Sequence, residues 1–264
     1  MMNLAKRIYS GIIDRYRRYT FRPYVIRRNF AGEEFQFQIG DLFGQSAYRP
    51  QHTSWPELEW IKANAITSGD TVVDCGANHG FSTVLFAKWT GARGKVHAFE
   101  PFSHNMAILK ENLRLNEITN VICHQSALGA ASGNALITTH PNARIVQESD
   151  RIRGTEQVSL VALDDIIPDQ SIDFIKIDVE GFELDLLKGA QRILASRPRL
   201  DVELHVSYYN DKESELGRIF GLIPMDRYNV HIQIEVDGPI VPFETERHTL
   251  EALSRCEVVH LFCC

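Results

Sequence analysis

Apolar residues return at every second position in some stretches of this chain and at every third or fourth in others, and the two periods divide it into strands and helices. Leu4, Ile8, Ile12 and Tyr16 sit at helical spacing, which predicts a helix over 3–19 that ends before Pro23. Phe35, Phe37 and Ile39 alternate, so 30–39 reads as an edge strand or hairpin. Leu58, Ile61 and Ala65 mark one face of a helix stopped by Gly69-Asp70, and the β-branched run that opens at Thr71 is a strand. A helix over 80–89, a strand over 95–100, a helix lined by Met106, Leu109 and Leu113, and a strand at 121–123 follow. Short strands are expected at 133–139 and 157–162, around a charged loop holding Arg144, Glu148, Asp150, Arg151 and Arg153. Then come a turn at 163–166, a strand over 172–177, and an amphipathic helix carrying Glu183, Leu186, Leu187, Ala190 and Ile193. The last elements are a strand over 200–205, a helix near 211–220, and strands at 230–236 and 257–262. Val230, Ile232, Ile234 and Val236 alternate as in a half-exposed antiparallel strand.

This alternation is that of an α/β domain, and 264 residues suffice for one such domain with additions. Net charge changes the picture in one place. The first thirty residues carry eight basic side chains against Asp14 alone, a net +7 that leaves −13 for the remainder of a chain whose total is −6. The chain thus divides into 1–50, a basic helix followed by a strand and loop, and 51–264, the α/β domain, with 129–165 inserted as a hairpin or lid. The basic helix is open to two readings, a foot on an anionic membrane surface or phosphate-bearing partner and a helix that covers the domain or joins protomers. An overall acidic chain does not fit a general nucleic-acid binder. Five cysteines without C-x-x-C spacing fit neither a disulfide framework nor a structural zinc site, and with no apolar run of membrane length they point to a soluble, cytoplasmic protein.

The chemistry gathers at 71–80, where the strand runs into Asp74-Cys75-Gly76-Ala77-Asn78-His79-Gly80 and a helix begins. A glycine turn lets a ligand approach bare backbone, and the helix start is expected to offer free N–H groups to it. The dinucleotide fingerprint G-x-G-x-x-G would place its second glycine at Asn78, which speaks against NAD. The wording D-C-G-A-N-H-G, together with Phe174-Ile175-Lys176-Ile177-Asp178-Val179-Glu180-Gly181-Phe182-Glu183, resembles the FkbM family of methyltransferases that use S-adenosylmethionine (SAM). The likeness covers roughly 56–205. It implies a Rossmann-like class I methyltransferase fold, a seven-stranded mixed sheet with helices on both faces and the last strand antiparallel. It also implies SAM as cofactor and O-methylation of a hydroxyl on a sugar, glycolipid or natural product.

Asp74, Gly76, Ala77, Asn78 and Gly80 form the expected cofactor loop. Glu100, twenty residues past Gly80 at the end of the second strand, is placed to accept both hydroxyls of a ribose, and Glu100-Pro101 also resembles the family pattern. Methyltransferases of this type place the residues flanking adenine where Ser126 and Ala127 stand. A hydroxyl acceptor must lose its proton, and His205, Asp178 and Glu180 are the candidates for that step, His205 on its intrinsic pKa. Asp178 and Glu180 are equally open to holding SAM, orienting the acceptor or supporting a divalent cation, and no metal is fixed by these residues. The expected partner is a small-molecule or saccharide acceptor. A catalytically inactive SAM-binding or partner-binding protein on the same fold is the alternative, against which the intact motif residues stand.

Overall fold

The computed structural model describes residues 16–17, 19–48, 55–146, 154–167, 171–235 and 238–264, so the basic helix expected over 3–19 falls almost wholly outside them. The chain forms two compact units, 1–53 and 54–264. In the first, β1 (Tyr24–Phe30) and β2 (Glu33–Ile39) pair antiparallel around a turn at Ala31-Gly32, both with the positive φ that a two-residue hairpin turn needs. The alternation seen in the sequence is therefore a hairpin: Phe35, Phe37 and Ile39 are buried, and Glu34 and Gln36 are exposed. The hairpin is followed by α1 (Leu42–Ala47), whose first turn is capped by Asp41 accepting from Gly44 N at 2.7 Å.

The second unit runs α2 (Pro56–Asn64), β3 (Thr71–Cys75), α3 (Phe81–Thr90), β4 (Lys95–Phe99), α4 (Ser103–Leu115) and β5 (Val121–His124). An inserted sheet follows, made of β6 (Ala127–Leu128), β7 (Gly133–Thr138), β8 (Ile145–Val146) and β9 (Thr155–Val161). The chain then returns through α5 (Leu163–Ile166), β10 (Phe174–Ile177), α6 (Glu183–Lys188), α7 (Gln191–Ala195), β11 (Arg199–Leu204) and α8 (Lys212–Leu222). It ends with β12 (Val230–Ile234), β13 (Ile240–Pro242), α9 (Leu250–Leu253) and β14 (Val259–Cys263).

The main sheet has the order β13-β12-β14-β11-β10-β3-β4-β5. It holds eight strands where seven were expected, the additional one being the three-residue edge strand β13. Pairs from β11 to β5 are parallel, and β14 is antiparallel to both β11 and β12. Parallel neighbours require crossovers, which are right-handed. From β3 the chain steps to β4 and β5 in one direction, and from β10 it steps to β11 in the other, so the helices of the two halves cover opposite faces. The direction changes between β3 and β10, and ligands of open α/β sheets bind at the carboxyl end of such a switch.

Two local expectations are corrected, and the insertion holds its two expected strands within a larger sheet. The helix read through Glu183 and Ile193 is two short helices that meet at Gly189, whose carbonyl accepts from Asp164 N at 2.9 Å and whose Cα packs where a Cβ would lie 2.0 Å from the Gly129 carbonyl oxygen. Strand β12 does not alternate cleanly, since Gln233 is buried alongside Ile232 while Ile234 is exposed. The inserted segment is a four-stranded sheet of order β6-β9-β7-β8 with its own small core of Phe102, Ala127, Ile137 and Val158, and its loop 147–153 lies outside the described residues.

Candidate active site at the switch point

Strand β3 ends at Cys75, and the next residue shows why the sequence needs glycine there. Gly76 has φ +86°, and a Cβ on it would stand 1.8 Å from the carbonyl oxygen of Asp178, so the turns after β3 and β10 touch through bare backbone. Gly80, at φ +84°, caps α3 against Leu109. The loop between them is closed by its own acceptors. The Phe99 carbonyl accepts from both Gly76 N and Ala77 N at 2.9 Å, Glu100 Oε2 accepts from Asn78 N at 2.8 Å, and Asn78 Oδ1 accepts from His79 N at 2.7 Å. Gly80 N donates to Ala77 O at 2.8 Å. The expectation that free N–H groups await a ligand here is thus corrected for residues 76–80. The loop is held in shape by the end of β4, the neighbouring strand.

Asp74 and Glu100 are both buried. Asp74 accepts a hydrogen bond from the Thr83 hydroxyl at 2.6 Å, tying β3 to the first turn of α3, and burial pushes its carboxyl up to about 6. Glu100 accepts from Asn78 N through Oε2 and from Phe102 N through Oε1, each at 2.8 Å; burial outweighs these donors and holds it near 7. The Asn105 side chain adds a third hydrogen bond to this carboxyl. Pro101 follows Glu100 into α4, Ser126 is buried in the turn before β6, and Ala127 begins β6. The inserted sheet reaches this loop: the Pro141 carbonyl accepts from Asn78 Nδ2 at 2.9 Å and from Asn105 Nδ2 at 2.8 Å.

The second half of the site stands at the ends of β10 and β11. His205 Nδ1 donates to Glu183 Oε1 at 3.0 Å, and Glu183, fully buried, also accepts from Gly181 N at 2.8 Å and Tyr209 OH at 2.9 Å. The other ring nitrogen faces Glu180 Oε2 at 3.5 Å, Glu203 Oε1 at 3.7 Å and Asp178 Oδ1 at 3.8 Å. Burial opposes charge on the imidazole, but the Glu183 hydrogen bond and the surrounding carboxylates win and push it up to about 10. These neighbours favour the protonated ring as long as no cation stands among them. Burial raises Glu180 to about 7, whereas Lys176 and His205 overcome burial at Asp178 and keep it below the usual carboxylate range. Tyr208 stacks on His205 with centroids 5.8 Å apart, and Arg144 of the inserted sheet lies 5.2 Å over the Tyr208 ring.

Sequence reasoning brought Asp178, Glu180 and His205 together correctly in space but missed their support. Lys176 is buried within β10, its Nζ 3.0 Å from Asp178 Oδ2, 3.6 Å from Glu57 Oε1 and 3.8 Å from Glu203 Oε2. Beyond it, His260 faces Asp201 at 3.4 Å and Glu203 at 3.6 Å. A lysine in the middle of an otherwise apolar four-residue strand was the signal for this network. Glu57 and Asp201 gave none, because their partners lie on other elements.

A parallel sheet with a glycine turn at its switch, an acid closing the adjacent strand and an antiparallel strand inserted next to β11 defines the class I methyltransferase fold. The chain belongs to the FkbM methyltransferase family: residues 74–249 match the Methyltransferase FkbM domain. SAM is the cofactor that goes with this family and fold. The methyltransferase sdnD of Sordaria araneosa is 31% identical over a stretch covering 47% of this chain and 61% of that protein. The hexuronic acid methyltransferase AglP of Haloferax volcanii is 27% identical, over 52% of this chain and 56% of that protein. The chain thus spans about 61% or less of the length of these curated relatives. The crystal structure of a methyltransferase FkbM from Methylobacillus flagellatus shares the fold, with a TM-score of 0.50 at 23% identity, covering 75% of this chain and 44% of that one. No helix among the described residues is long and apolar enough to cross a membrane.

Proposed function

We propose that the protein is a SAM-dependent O-methyltransferase acting on a hydroxyl of a sugar, glycolipid or natural product. The observation that carries this reading is the contact of Gly76 with the Asp178 backbone, which brings the cofactor loop and the Asp178, Glu180 and His205 side chains to one end of the sheet. A bound SAM supplies an activated methyl on a sulfonium centre. The protein is left to align the acceptor and receive its proton.

In this reading Gly76, Ala77, Asn78 and Gly80 shape the cofactor cradle, with Asp74 fixing it from below through Thr83. The Glu100 carboxyl, next to Pro101, suits the hydroxyls of a ribose as a hydrogen-bond acceptor, and Ser126 and Ala127 border the base. Asp178 and Glu180 accept the acceptor hydroxyl's hydrogen bond and orient its oxygen, while His205, facing both, keeps the two acids close together. Tyr208, 45% exposed above His205, offers a ring face on which an acceptor can lie, and Arg144 reaches it from the inserted sheet. A saccharide acceptor has support from the resemblance to a protein described as a hexuronic acid methyltransferase.

The test is calorimetric titration of the full chain with S-adenosylhomocysteine, with NADH in parallel and Glu100→Ala as control. Tight binding of the homocysteine nucleoside, weakened in the variant, is expected, and acceptor screening with sugar and polyketide hydroxyls follows from it. NADH binding, or none of either, overturns the reading.

A further inference from the structure

The three side chains at the mouth of the site hold a second piece of chemistry. Asp178, Glu180 and His205 each bring one ligand atom within 4.8 Å of the other two. We infer that this is a divalent-cation site, with Asp178 Oδ1, Glu180 Oε2 and His205 Nε2 as its protein ligands, and that the acceptor enters by ligating the cation through its hydroxyl oxygen. The role given to the acceptor rests on the methyltransferase reading; the cation site itself does not.

Carboxylates alone would not carry this, since acids gather at many surfaces. The independent observation is the histidine. His205 is 7% exposed, and its Nε2 faces Glu180, Glu203 and Asp178 at 3.5, 3.7 and 3.8 Å without a hydrogen bond to any of them, so a cation that takes the place of its proton finds its ligands already gathered. Its opposite nitrogen is fixed by Glu183, which Tyr209 and the Gly181 amide hold in turn. Histidines that bind metals are oriented in this way, by a carboxylate on the other ring nitrogen. Here the carboxylate is fully buried, so the ring cannot turn to follow a different partner.

The separations agree with a shared centre. Ligands about 2.1 Å from an octahedral cation stand roughly 3 Å from their neighbours. The Nε2 distances of 3.5 Å to Glu180 and 3.8 Å to Asp178 need only a contraction of several tenths of an ångström. Two carboxylate oxygens and one imidazole suit a cation that accepts both donor types, which favours Mn²⁺ over Mg²⁺.

The molecule contains a second such trio, Glu57, Asp201 and His260, but its place for positive charge is already taken by Lys176, 3.6 Å from Glu57 Oε1. At Asp178 the lysine binds Oδ2 and leaves Oδ1 turned toward His205. The Asp178 side chain is 28% exposed and that of Glu180 16%, so the first trio is open to an entering ion and an entering substrate.

The experiment is an electron paramagnetic resonance titration of the metal-free full chain with Mn²⁺, run beside S-adenosylhomocysteine calorimetry on the same sample. The expected result is one saturable Mn²⁺ per chain, with affinity falling ~10-fold or more in Glu180→Gln and in His205→Ala, and unchanged in Glu57→Gln. Because a buried variant can fail to fold, the wild-type protein gives a second readout: Mn²⁺ should broaden the His205 ring-proton resonance by nuclear magnetic resonance before that of His260. Absence of saturable binding, affinity untouched by both substitutions, or equal broadening of the two histidines overturns the cation site. If the nucleoside binds while Mn²⁺ does not, the cation inference alone fails; if Mn²⁺ binds and the nucleoside does not, the methyltransferase reading fails and the cation site stands.

Discussion

Gly76, Thr83 and Glu100 each hold one joint of the cofactor loop, and each is exposed to a different physical penalty. At Gly76 the obstacle is backbone, which cannot rotate out of the way as a side chain would. Gly76→Ala is therefore expected to destabilise the protein by roughly 3 kcal/mol or more, combining a clash with a positive φ that alanine resists. Chemical denaturation checks it, and a loss under about 1 kcal/mol would show that the two turns can separate. Thr83→Val keeps the shape but removes the donor to a buried carboxyl, at an expected cost of about 1–3 kcal/mol.

Glu100 adds a pH signature. Its folded pKa, near 7, lies above the value of a free glutamate, as does that of Asp74 near 6, so both favour the folded state when protonated. That contribution is complete below about pH 4 and is lost as the pH rises through about 6 to 7. His205 and His260, with folded values near 10 and 9, act in the same direction at higher pH. The cofactor-free protein should melt higher at pH 5.5 than at pH 8.5, by calorimetry; a Tm that climbs over this interval would contradict the burial of these groups.

Among elements, the inserted sheet meets the loop after β3 through a contact that no motif announces. One carbonyl, that of Pro141, takes hydrogen bonds from Asn78 on the cofactor loop and Asn105 on α4. Asn105→Ala removes one of these anchors. Amide exchange in the 139–146 segment should accelerate several-fold while that of β3 and β10 stays constant, as local opening requires. Equal protection in variant and parent would mean the segment is held elsewhere. The carrying periodicities were legible for the parallel strands, because β3, β4 and β10 are short, mostly apolar runs and β11 alternates charged with apolar residues. Gly189 shows the reverse case, since a helical pattern continues across it while its carbonyl bonds Asp164 N on another element, a contact the local sequence does not announce.

At the scale of the molecule, one set of interior charges within 54–264 is connected, from Glu57 on α2 through Lys176 on β10 to Glu203 on β11 and His260 on β14. Such a network is expensive to leave half satisfied. Lys176→Met should cost about 3–5 kcal/mol by denaturant unfolding, because it strands several carboxylates at once. A near-neutral result would indicate that those acids simply take up protons.

The sequence by itself determined the local decisions: the β-branched strand entering Asp74-Cys75-Gly76, the glycine turn, the acid at the end of the second strand, and the second motif through Asp178 and Glu180. These depend on neighbours along the chain, where propensity and spacing act directly. Tertiary structure decided which of those groups meet. Only the parallel pairing of β3 with β10 sets Gly76 against the Asp178 carbonyl, and only the convergence of β10, α6 and β11 surrounds His205 with Glu183, Glu180, Glu203 and Asp178. The ring's raised proton affinity follows from that enclosure, since burial, hydrogen bonds and nearby charges shift a side chain from its intrinsic value.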